Sequence, residues 1–93
     1  MLLRRKIMNT YIAVFKSRTE VFAFLEKLKS AGVFCSIVPT PKEARVGCGL
    51  SAKFSQSGLQ VALRVIKALN LSSFYGIFYV KISGNRSSTV RIY

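Results

Sequence analysis

Residues 49–60 read Gly-Leu-Ser-Ala-Lys-Phe-Ser-Gln-Ser-Gly-Leu-Gln, and the fold turns on this stretch. Leu50, Ala52 and Phe54 alternate with Ser51, Lys53 and Ser55, which predicts a strand over Gly49 to Ser55 with one buried and one wet side. Ser57-Gly58-Leu59-Gln60 then fits a capping box, the pattern in which a serine hydroxyl and a Gln or Glu three residues on satisfy free amides at a helix start. The helix it opens carries Val61, Val65, Ala68 and Leu69 on one face and breaks near Asn70. Phe74 to Ile82 (FYGIFYVKI) is the next strong strand.

The same rhythm lies upstream. Thr10 to Phe15 (TYIAVF) is rich in β-branched and aromatic residues and reads as a strand. Ser17-Arg18-Thr19-Glu20 is another capping box, followed by Val21, Phe24, Leu25 and Leu28 at helical spacing, with Lys27 and Lys29 off that stripe. Gly32 supplies the left-handed residue that ends the helix. Val33 to Val38 is a second strand, stopped by Pro39 and Pro41, which have no amide to donate. The order β-α-β-β-α-β predicts an α+β, ferredoxin-like domain over residues 10–82: a four-stranded antiparallel sheet with both helices on one face. The other face is open or covered by a partner, and displays Lys53, Tyr75 or Tyr79, and Lys81 according to register. Residues 1–9 read as a loose basic arm. Residues 83–93 are a tail, turn-rich from Ser83 to Ser88, with Thr89 to Tyr93 fraying or adding a short edge strand.

Composition narrows the function. The 93 residues make one domain, and a hydrophobic fraction of 51% argues against disorder. The longest apolar run, Phe74 to Val80, falls far short of the roughly 18–20 residues that span a bilayer, so no membrane association is expected. No apolar core follows Arg4, Arg5 and Lys6, so a secretory leader is not expected and a cytoplasmic location is; Met8 is an alternative start. Fifteen Lys and Arg against three acids give a net charge of +12, which suits an anionic partner or substrate, or a basic solvated surface without a specific role. The absence of His removes the usual general base of serine and cysteine hydrolases. Glu20, Glu26 and Glu43 form no evident pair for acid–base work or magnesium, and the two cysteines lack metal-ligand spacing. An autonomous enzyme is therefore the least expected class, and neither a metal nor a resident cofactor is expected.

One segment carries chemistry: Pro39-Thr40-Pro41-Lys42-Glu43-Ala44-Arg45-Val46-Gly47-Cys48-Gly49. Gly47 and Gly49 leave Cys48 without side chains on its flanks, so another molecule can approach closely. Lys42 and Arg45 lie near enough in sequence to favour a thiolate, and consecutive amides of a Gly-Cys-Gly turn can cradle an anion. Thr40 either hydrogen-bonds across the loop or merely caps its turn. The plainer alternative makes Gly47 and Gly49 turn residues and Cys48 a small filler. Cys35 is mid-strand and reads as structural. A hairpin closing near residue 43 or 44 sets Cys35 opposite Ala52 and leaves the two cysteines about 13 Å apart, too far for a disulfide.

The run Ile37-Val38-Pro39-Thr40-Pro41-Lys42-Glu43 with Gly47-Cys48-Gly49-Leu50-Ser51 resembles the hallmark of a small bacterial family of selenium/sulfur carrier-like proteins, and Tyr11-Ile12-Ala13-Val14-Phe15 is similar to that family's opening. The likeness covers about residues 10–80. It implies that Cys48 is the carrier thiol, holding covalent sulfur or selenium as a persulfide or perselenide, with donor and acceptor proteins as partners. Two other functions compete. Basic charge and the aromatics Phe74, Tyr75, Phe78 and Tyr79 suit a nucleic-acid-binding sheet, although the aromatic–glycine RNP pattern is absent. An exposed Tyr75, Ile77 and Tyr79 would instead make an apolar patch for a homodimer or regulatory contact.

Overall fold

The computed structural model describes residues 10–45, 47, 49–83 and 86–93. The N-terminal arm lies outside the described residues, as does Cys48. Strands β1 (Thr10–Phe15), β2 (Cys35–Pro39), β3 (Leu50–Ser55), β4 (Phe74–Ser83) and β5 (Arg86–Arg91) alternate with helices α1 (Arg18–Ser30) and α2 (Leu59–Leu69). The βαββαβ order read from the sequence is present. The sheet, however, has five strands where four were expected, in the order β2-β3-β1-β4-β5, and every pair is antiparallel. The fifth strand begins at Arg86, inside the turn-rich stretch. Small polar residues do not advertise a strand, and pairing to β4 supplies what intrinsic propensity lacks.

Sheet register sends Tyr11, Ala13, Phe15, Ala52, Phe54 and Ile77 to one side, where both helices pack against them and against each other. From α1 come Val21, Phe24, Leu25 and Leu28, the stripe the sequence showed, all buried. The rings of Phe15 and Phe24 meet at 5.2 Å, and Phe24 presents its edge to Phe54. Ala31 caps the helix and Gly32, at φ +83, turns the chain so that the Val33 amide donates to the Leu28 carbonyl.

α2 departs from the expected face. Its buried residue is Ala62, with Leu59, Val61, Leu63, Val65 and Ile66 half-buried around it, whereas Ala68 is exposed. Nor does its capping box form. Residues Gln56–Gly58 make a 3₁₀ turn, Gly58 becomes the cap without a side-chain hydrogen bond, and Ser57 pairs its hydroxyl with Ser55. The helix ends at Asn70, whose φ of 52 is left-handed.

The remaining face of the sheet is not a bare platform. Ile12, Val14 and Phe78 are buried on it, packed with Ala44 from the loop between β2 and β3 and flanked by Val38, Tyr75 and Val80. Tyr79 and Phe74 belong to the helix-side core instead, and Ile77 is fully enclosed there. The Tyr75–Ile77–Tyr79 patch proposed for self-association therefore does not share one face; the side chain of Lys81 lies outside the described residues. Among the described residues no helix is long and apolar enough to cross a membrane.

Candidate functional site

The site loop leaves the sheet at β2, on its edge. Strand β2 begins two residues later than the sequence suggested, because Val33 and Phe34 complete the helix exit, with Phe34 92% exposed. Pro39 does not stop the strand but is its last residue, paired with Leu50; a missing amide is tolerated on an edge strand. The hairpin register also moves: Cys35 lies opposite Phe54, not Ala52. Cys35 is a half-buried free thiol whose Sγ lies 3.7 Å from the Leu25 carbonyl oxygen, to which it donates. Burial raises its pKa, with Lys29 opposing, so at neutral pH it stays a thiol and behaves as the structural residue expected.

Thr40 is the root of the loop. Its side chain is buried and its Oγ1 lies 2.6 Å from Ser51 Oγ, also buried. Its amide donates to the Gly49 carbonyl at 2.8 Å, and its own carbonyl accepts from Arg45 Nη2 at 3.2 Å. Of the two roles left open for Thr40, the bond across the loop is the one present. Ser51 is the partner that strand alternation missed. Alternation assigned it to the wet face with Lys53 and Ser55; those two are exposed, but Ser51 is wholly enclosed beneath the loop. Only contact between the loop and the sheet could reveal this, since a serine opposite Val14 carries no local mark of burial.

Between the ends of this latch, Lys42–Ala44 form a single 3₁₀ turn closed by Ala44 N–H to Pro41 and Arg45 N–H to Lys42. The turn drops Ala44 onto Ile12, Val14 and Phe78, while Lys42 and Arg45 remain exposed. Gly47 returns to the protein against Lys16, at the end of β1. A Cβ on Gly47 would stand 2.5 Å from the Lys16 carbonyl oxygen and 2.8 Å from its Cα, so the close approach requires glycine. Gly47 is nonetheless exposed to solvent, and Gly49 takes φ +80 as the chain enters β3. Of the predicted residues, Thr40 bonds Gly49 and Arg45, and Arg45 bonds Lys42, while Gly47 lies against Lys16 instead.

This end of the molecule is fastened from below by a junction that sequence reading described only in part. Ser17 caps α1 as expected, accepting from the Glu20 amide at 3.4 Å. Glu20 does not reach back to Ser17. Its carboxylate accepts instead from the Ser73 hydroxyl at 2.7 Å, the Ser73 amide at 2.9 Å and the Ser72 hydroxyl at 3.3 Å, and Ser73 Oγ takes the Ser17 amide in its place. The hydroxyl of Ser73 is the main cause holding the Glu20 pKa below its ordinary 4.5, against a smaller desolvation effect. Lys16 N–H to the Ser73 carbonyl completes the link between β1, α1 and the start of β4. On the far side, Arg91 lies 4.6 Å over the ring of Tyr75, and Tyr75 stacks on Phe78.

These features define a small α+β protein with a latched hairpin loop that flanks a cysteine by glycines. A family model matches residues 10–75, and the chain belongs to the family described as "Putative Se/S carrier protein-like". The match runs from β1 into the start of β4, so it includes the whole loop and ends before β5. No curated protein and no solved structure matches the chain.

Proposed function

We propose that this protein carries sulfur or selenium on Cys48. The observation that supports the reading most is the treatment of the two neighbours of that residue. Gly47 is pressed against the Lys16 backbone yet exposed, and Gly49 is fixed by its carbonyl bond to Thr40 and its positive φ. Both sequence neighbours of Cys48 are thus anchored, and neither carries a side chain. Family membership supplies the cargo class.

In the sulfur case the Cys48 thiolate attacks the outer sulfur of a donor persulfide. One sulfur–sulfur bond forms to Cys48 as the donor's breaks, and the donor leaves as thiolate: Cys48–S⁻ and R–S–SH become Cys48–S–SH and R–S⁻. An acceptor thiolate then repeats the exchange in the outward direction, regenerating Cys48. Neither step changes the net redox state, so no external oxidant or reductant is needed. Selenium follows the same exchange with an R–S–SeH donor. Lys42 and Arg45 favour the anionic sulfur by their charge, and the Thr40–Ser51 latch holds the loop while cargo is exchanged.

Intact mass spectrometry of protein purified without reductant tests this directly. The expected result is an increment of one sulfur or one selenium, released by dithiothreitol and absent from Cys48→Ser. Alkylation by iodoacetamide against pH supplies the second measurement: Cys48 should react with an apparent pKa below the ordinary value of about 8.5. An unmodified mass together with slow labelling at an ordinary pKa overturns the reading.

A further inference from the structure

The loop end of the molecule also gathers cations. Gly47 touches the Lys16 backbone, and at about 3.8 Å per Cα step Arg45 lies within about 8 Å of Gly47 and Arg18 within about 8 Å of Lys16. Lys42 begins the 3₁₀ turn that leads to Arg45. Lys16, Arg18, Lys42 and Arg45 are all exposed, and among the described residues none is paired with a carboxylate. Glu43 stands between Lys42 and Arg45 in the same turn and offsets one of these charges, its side chain lying outside the described residues, while Glu20 is engaged by Ser72 and Ser73. Exposed cations along one end of a molecule sum to a positive potential that draws an acidic surface, an effect that salt screens.

We propose that this cationic rim is a docking surface for an acidic face of the protein that hands over or takes up the sulfur or selenium; the inference rests on the carrier reading. A second copy of the chain is the wrong partner, because a net charge of +12 makes two copies repel. Single-stranded nucleic acid fits less well. Its binders add free aromatic faces to a basic groove, and the aromatics of β4 are engaged: Phe74 and Tyr79 in the helix-side core, Tyr75 with Arg91 and Phe78. An acidic protein surface needs only complementary charge and access, which the rim offers.

Fluorescence anisotropy with a labelled polyglutamate peptide tests the surface at about 0.05 M and 0.15 M salt. Lys16→Glu/Arg18→Glu and Lys42→Glu/Arg45→Glu should each weaken binding about tenfold, and Arg64→Glu/Lys67→Glu on α2 about twofold or less. The Lys16/Arg18 pair touches no loop hydrogen bond, so it remains a fair test even if losing the Arg45–Thr40 bond loosens the loop. Equal weakening by all three double variants overturns the proposal, as does a rim that binds an oligouridine RNA more tightly than the peptide. Cys48→Ser separates the two readings. It should bind the peptide normally while losing the mass increment. A wild-type protein that acquires no sulfur or selenium yet binds the peptide through the rim would remove the carrier role and leave the acidic-surface preference. Normal loading with peptide binding indifferent to rim reversal would do the opposite.

Discussion

Helices α1 and α2 each follow a serine that has Glu or Gln three residues on, yet the two starts are built differently. Ser17 caps α1, and Glu20 is diverted to the serines that lead into β4, so this start also clamps β1 to β4 beside the site loop. Ser57 caps nothing; Gly58 takes the cap position, and its Cα lies against Val33, where a Cβ would be 2.5 Å from Cγ1. The helices differ along their length as well, with Val21, Phe24, Leu25 and Leu28 buried on α1 and Ala62 on α2. The difference teaches that a capping pattern marks where a helix begins, while tertiary contacts decide what the capping residues hold.

The comparison breaks or sharpens most readily in the core. Phe24→Ala should cost about 3–5 kcal/mol in urea unfolding, and Val65→Ala on the half-exposed α2 face only about 1 kcal/mol. Hydrogen exchange should give the same contrast, with α2 amides opening at lower free energy than those of α1. Equal protection would mean that the two helices belong to one cooperative unit. Gly47→Ala should come next, at about 2 kcal/mol, because the new methyl meets Lys16 backbone that cannot rotate away. A neutral result would show the loop free to lift from the α1 junction.

Smaller effects separate the two caps themselves. Ser17→Ala should cost about 1 kcal/mol, whereas Ser57→Ala should stay within about 0.5 kcal/mol of wild type. If the two cost the same, α2 has a cap that its geometry hides. The smallest signal is the pH dependence of Glu20. Its pKa is lowered on folding, so its contribution is complete above the ordinary 4.5 and is lost as pH falls through the lower folded value. Wild type should therefore lose stability in that acid range and Glu20→Gln should not, by a modest amount because the carboxylate is at the surface. Parallel curves would remove the Ser73 clamp from the account.

The elements themselves were legible because each rests on short-range signals. Alternation over Gly49 to Ser55, the stripe Val21–Phe24–Leu25–Leu28 and the left-handed Gly32 are decided within a few residues of chain. The loop was legible in a different way, through residue types: glycines beside a cysteine, prolines at the entry and cations between. Thr40 is joined to Arg45 and Gly49 by hydrogen bonds, although nothing local pointed to Ser51 or Ser73.

Sequence alone settled the βαββαβ order and the four buried residues of α1, since periodicity and turn residues act locally. Tertiary structure decided the fifth strand, the two-residue change of hairpin register, the rotated face of α2 and the burial of Ser51. Each of these depends on a partner distant in sequence, and a polar side chain shows whether it is buried only when the segment that covers it has been placed.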